Sequence, residues 1–126
     1  MNARANQPAS SPADAPAARR PRMIVLGYGQ PEIVQAEFVR LRPLIEHHAE
    51  IVLTDLGEYK DLAQVEAEFA IVLGGDGAIL RAAKQMAYRQ LPVLGVNLGR
   101  LGFLADLTPD EFVDVLPVVA AGKVRL

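Results

Sequence analysis

The chain has no cysteine among its 126 residues, so neither a disulfide framework nor a thiolate metal site can be built from it. Long apolar runs are missing too. The hydrophobic stretches are a few residues each, well short of a membrane span or a signal-peptide core, which predicts no membrane partner and a cytoplasmic location. Nor is there an excess of positive charge. Thirteen Lys and Arg against 15 Asp and Glu leave a formal net charge of −2, which argues against duplex nucleic acid or an anionic membrane as the main ligand. Histidine is limited to the adjacent pair His47 and His48, taken as surface or helix-end residues, and no metal ligand is assigned.

What is present is the composition of one soluble globular domain, 51% hydrophobic and 22% charged. Residues 1–22 stand apart: they hold four of the nine prolines, four arginines, one acid and no large apolar side chain beyond the initial methionine, and are expected to be a disordered tail. Residues 23–122 are read as the folded domain, and residues 123–126 as the opening strand of a truncated second one.

Within the domain, residues 23–26 predict a buried strand that ends at Gly27-Tyr28-Gly29. Val34, Phe38, Leu41 and Ile45 follow at helical spacing, with a bend or break expected near Pro43. Residues 51–53 predict a second strand, followed by an acidic connection. Residues 69–73 (FAIVL) predict a third, apolar at every position and so covered on both faces. A helix over residues 78–88 is expected to bury Ile79, Leu80, Ala83 and Met86 or Ala87, with Arg81, Lys84 and Gln85 turned outward. A fourth strand is expected over residues 92–96. Thr108-Pro109-Asp110-Glu111 is a capping box for a last helix that reaches about Ala120 and stops at Gly122. Strands interleaved with helices predict a doubly wound, mostly parallel α/β sheet, whose ligands bind at the carboxyl ends of the strands.

Gly74-Gly75-Asp76-Gly77 falls at such an end. Gly74, Gly75 and Gly77 can take positive backbone dihedrals and bring a phosphate or ribose against the main chain, where the following helix offers free N–H groups and the positive end of its dipole. The loop's one side chain, Asp76, either holds a metal, proton or sugar hydroxyl, or simply caps the helix. The residues alone leave both open. A P-loop is excluded because Ala78 and Ile79 stand where Lys and Ser or Thr are required. A Rossmann fingerprint at Gly27 fails because position 32 is Glu32, although Asp55 follows at a tempting distance.

The segment GGDGAILRAAKQMAYRQLPVLGVNLGRLGFLADL, residues 74–107, resembles the signature region of the NAD kinases, where a GGDG loop and an NLGRLGFL loop sit on successive strands. GGDG alone also occurs in diacylglycerol and sphingosine kinases and has relatives in the phosphofructokinases. Pairing it with residues 97–104 favours NAD kinase. The resemblance implies a phosphofructokinase-like N-terminal domain and transfer of a phosphoryl group from ATP, or polyphosphate, with Mg²⁺ on the donor phosphates, to the 2′-hydroxyl of the NAD adenosine ribose, giving NADP. It implies Asp76 as the proton acceptor, Gly74, Gly75, Asp76 and Gly77 as the nucleotide loop, Arg81 as a nucleotide contact and Phe103 as a residue packing on a base. A homo-oligomer is implied for the full-length enzyme. The family has Thr after GGDG where this chain has Ala78, and it carries a second, β-rich domain that these residues lack. A noncatalytic binding module and a lipid kinase are the competing readings.

Overall fold

The computed structural model describes residues 20–75, 77–98 and 107–122. Four strands, β1 (Arg22–Gly27), β2 (Glu50–Asp55), β3 (Phe69–Gly74) and β4 (Val93–Asn97), form one sheet in the order β2-β1-β3-β4. Each neighbouring pair is parallel. The expected α/β class and parallel sheet are therefore present. β1 starts at Arg22, inside the stretch taken as tail, because pairing with β2 reaches back past it: Glu50 donates its N–H to the Pro21 carbonyl at 2.8 Å. Residues 1–19 and 123–126 lie outside the described residues.

Parallel strands covered on both faces read as unbroken apolar runs, and the burial shows why. On one face Met23 and Val25 of β1, Ile71 and Leu73 of β3, and Leu94 and Val96 of β4 meet helices α1 (Pro31–His48) and α3 (Pro109–Ala120). On the other, Ile24, Leu26, Ala70 and Val72 meet helix α2 (Ala78–Met86) and Leu62, which belongs to the connection between β2 and β3. That connection has no helix, so Leu62, with Val65 packed beside it, covers the area a crossover helix would cover.

Helix α1 runs as one element through Pro43, so of the expected bend or break the break does not occur. Phe38 and Leu41 before the proline and Ile45 after it are all buried in the same cluster, so one packed face clamps both halves. Pro43 itself is exposed, as is Val39, whose carbonyl loses its helical partner and can be served by water. His47 and His48 are the last two residues of α1, as expected, and burial together with the neighbouring His47 holds the His48 imidazole below its ordinary pKa.

Helix α3 begins with both halves of the capping box. Glu111 donates its N–H to Thr108 Oγ1 at 3.1 Å, and Thr108 donates its own to Glu111 Oε1 at 2.8 Å. Gly122, at φ 74°, ends it. The cap sets where the chain turns from the crevice side of β4 into α3, whose Phe112, Leu116 and Val119 are buried. Replacing Thr108 with Ala is expected to lower the unfolding free energy by about 1 kcal/mol in urea titrations, with Thr108→Ser close to neutral.

Candidate functional site

Two strand ends build the site. β1 lies between β2 and β3, so the chain leaves β1 toward one side of the sheet and β3 toward the other, which opens a crevice at their carboxyl ends. Tyr28 prolongs β1 by donating its N–H to the Leu73 carbonyl at 2.9 Å, and the turn through Gly29 at φ 119° leads into α1. A cleft of about 210 Å³ lies between Tyr28, Gly29, Ile33 and Val34 on one side and Gly74, Gly75 and Leu98 on the other. Pockets that enclose a drug-sized ligand hold roughly 300–1,000 Å³, so this cleft is one wall for part of a larger ligand.

The three described glycines of the first loop serve different purposes. A Cβ on Gly74 would sit 2.7 Å from the Tyr28 carbonyl oxygen and 2.8 Å from the Ala78 methyl, so only glycine lets β1, β3 and α2 approach this closely. Gly75 has open space where a side chain would go. Gly77 alone takes a positive φ, 85°, as the N-cap of α2. The expectation of positive dihedrals therefore holds for Gly77 and not for Gly74 or Gly75. Asp76 lies outside the described residues.

The second loop is tied to the first at its root. Asn97, buried, pairs in register with Gly74, and Leu98 donates its N–H to the Gly74 carbonyl at 2.9 Å. Residues 99–106, Phe103 among them, lie outside the described residues. The chain is anchored again at Leu107, whose N–H reaches the Gly95 carbonyl at 2.9 Å and whose carbonyl accepts from Asn97 at 2.7 Å. Both ends of that segment are thus held against the tip of β4.

Helix α2 presents a different face from the one its large side chains suggest. Ala78, Ala82 and Met86 are buried, whereas Leu80 is 60% exposed. Two alanines spaced by one turn let the helix sit close to β3 beside Gly74, and a leucine stripe would hold it away. The helix also ends at Met86, short of the expected Tyr88, which is fully exposed. Arg81 points outward as expected, and its guanidinium carbon lies 5.5 Å from the centre of the Tyr28 ring.

Gln85, expected on the solvent side, is instead the centre of a polar cluster that joins three elements. Its Nε2 donates to Asp55 Oδ2 at 2.7 Å and to the Lys60 carbonyl at 3.0 Å, and its Oε1 accepts the Tyr28 hydroxyl at 2.5 Å. Asp55, only 2% exposed, also accepts the N–H groups of Glu58 at 2.7 Å and Lys60 at 2.6 Å. With its carboxylate committed in this way it has no role as a ribose ligand, which agrees with the weakness of the fingerprint at Gly27. Burial pushes the Asp55 carboxyl up, but the hydrogen bonds from Lys60, Gln85 and Glu58 outweigh it and hold the group below its ordinary value. Burial first, then Tyr59 and Asp55, pushes the Tyr28 phenol well above the usual range, against a smaller opposing pull from Arg81, so it stays a donor. The only sign of this cluster in the sequence is an aromatic residue flanked by two glycines at a strand end.

An open parallel α/β domain with its ligand crevice at the switch point between β1 and β3 is the class that fold and site define together. Within that class the family is specific: residues 29–124 match the model of the ATP-NAD kinase N-terminal domain, and the chain belongs to that family. It is 47% identical over 104 residues to an NAD kinase of Rhodopirellula baltica, a match covering 82% of this chain and 33% of the relative. An NAD kinase of Geobacter metallireducens is 40% identical over 87 residues, covering 69% and 31% respectively. The chain therefore spans about a third of the length of these relatives. A crystal structure of yeast NADH kinase complexed with NADH superposes with a TM-score of 0.54 at 22% identity, over 82% of this chain and 37% of that one, and shares its fold.

Two predictions come from this geometry. Gly74→Ala is expected to cost about 1–3 kcal/mol by forcing β1 from β3, while Gly75→Ala, with open space for its methyl, leaves the thermal midpoint unchanged, measured by calorimetry. Because the folded-state pKa of Asp55 is depressed, its stabilisation is complete above the unfolded carboxylate value of about 4 and is lost as pH falls through the lower folded value. Asp55→Asn is thus expected to cost about 1–3 kcal/mol at pH 7 and to flatten the acid limb of the stability profile.

Proposed function

We propose that this chain is the nucleotide-handling N-terminal part of an NAD kinase, which transfers a phosphoryl group from ATP, or polyphosphate, to the 2′-hydroxyl of the NAD adenosine ribose and yields NADP. The observation that carries this reading is the junction of the two loops: the Leu98 N–H on the Gly74 carbonyl sets the roots of the GGDG and NLGRLGFL segments side by side at the crevice. The relatives named above as NAD kinases support the same reaction, and none of those named is a lipid kinase.

In this reading Asp76 accepts the proton of the ribose hydroxyl. A carboxylate with a reference pKa near 3.9 is a weak base at neutral pH, so it works by being held within hydrogen-bond reach. Gly74, Gly75 and Gly77 keep the main chain bare so that the sugar or phosphate can lie against it, and the α2 N-terminus favours negative charge there. Arg81, one turn into α2, supplies a cation to phosphate oxygens, and Phe103 packs on a base. The Ala78 side chain, a methyl buried beside Gly74, offers a phosphate no hydrogen bond. Mg²⁺ would ride on the donor phosphates and offset their charge, and among the described residues no trio of acids or imidazoles is grouped to hold it. Among the described residues no helix is long and apolar enough to cross a membrane. A cytoplasmic location and a homo-oligomeric full-length enzyme are part of the same proposal.

The test is NADP formation from NAD and ATP by the natural polypeptide that contains this sequence. Asp76→Asn is expected to lower kcat by at least about 10²-fold, with the affinity for NAD and the thermal midpoint little changed. Retention of wild-type turnover by that variant would remove Asp76 from the proposed role.

A further inference from the structure

Tyr28 belongs to neither glycine loop, yet it occupies the point where the crevice, α2 and the β2 end meet. Tyr28 is one of the residues lining the cleft, and its ring, packed on the α2 side, lies 5.5 Å from the Arg81 guanidinium carbon and meets the Tyr59 ring edge-on at 5.8 Å between centroids. Its hydroxyl is fixed by Gln85, whose amide has both ends committed, the oxygen to Tyr28 and the nitrogen to Asp55 and the Lys60 carbonyl. An amide flip would set N–H groups against the phenol donor and oxygen against a carboxylate, so the latch has one orientation. Its backbone is fixed as well, by the N–H on Leu73. The ring, 4% exposed, is therefore a rigid surface beneath an exposed and otherwise flexible arginine.

We propose that Tyr28 is a positioning residue: its latched ring is the platform on which the Arg81 guanidinium rests at the crevice, aimed at a phosphate of the bound nucleotide. The inference rests on the nucleotide-kinase reading above. A guanidinium stacked on an aromatic face keeps its N–H fork free at the edges for phosphate oxygens, and a side chain held in place loses less freedom when it binds. The Asp55–Gln85–Tyr28 chain thereby carries the position of the β2 end to the cation at the site, without any of the three touching the ligand through a charge.

The experiment is a calorimetric comparison of ADP with adenosine, the phosphate-free control, in the natural polypeptide that contains this sequence. Tyr28→Leu is expected to weaken ADP about three- to tenfold while leaving adenosine within about twofold, and to have no further effect on ADP in an Arg81→Ala background. Tyr28→Phe keeps the ring and is expected to lie within about threefold of wild type. Gln85→Met, which releases the latch and keeps the ring, covers the case in which Tyr28→Leu does not fold; its ADP loss must likewise vanish with Arg81→Ala. Equal weakening of ADP and adenosine, or a loss that persists without Arg81, overturns the proposal and leaves Tyr28 a packing residue. Wild-type ADP binding that is indifferent to Arg81→Ala overturns it too, while the kinase reading stands. Absence of ADP binding by the wild type overturns both.

Discussion

Three backbone segments converge on Gly74, and the rest of the site depends on how closely they do so. The Tyr28 carbonyl, the Ala78 methyl and the Leu98 amide all crowd this residue. A side chain there would separate β1 from β3 or lift α2 from the sheet. Either movement would part the roots of the two glycine loops, which touch only because Leu98 can reach the Gly74 carbonyl. Buried backbone groups must find partners, so that hydrogen bond is also what satisfies the last carbonyl of β3. Packing and chemistry thus impose the same requirement on one position.

The polar cluster around Gln85 works on the same geometry from the α2 side of the sheet, further along the helix that begins beside Gly74. Buried polar groups are costly when unpaired and specifying when fully paired. Here the acceptors and donors balance: a carboxylate with three N–H partners, an amide used at both ends, and a phenol kept protonated by its surroundings. The cluster joins β2 to α2 and the end of β1, across a connection that has no helix of its own. It gives the irregular stretch after Asp55 a fixed course, and so gives the crevice a fixed flank.

How much of this was legible in the sequence depends on the range of the interaction. The strands were, because burial on both faces leaves uninterrupted apolar runs such as FAIVL. The start of α3 was, because a capping box is complete within four residues. The continuity of α1 was not, since Pro43 is a local signal for a break, and only burial of Phe38 and Ile45 against the same face overrides it. The buried face of α2 was hidden for a related reason. Periodicity weights large side chains, so Leu80 outranked Ala78 and Ala82, yet the nearness of Gly74 calls for small residues. The contacts of Gln85 with Tyr28 and Asp55 span 57 and 30 residues, and nothing in one sequence marks such pairs.

The proposed role of Asp76 as a base gives this investment in fixed geometry a purpose. In sequence, Asp76 directly precedes Gly77, the N-cap of α2. If the acid stays ionised, its contribution to the proposed transfer has to come from placement relative to the ribose hydroxyl, and placement is costly to lose: a displacement of about 1 Å is enough to cost about 10²-fold in rate. Gly74, which admits no side chain, and Gln85, which admits one orientation, each remove a way for the elements around the loop to shift. The residues that make no chemical step are thus the ones on which a weak base must rely.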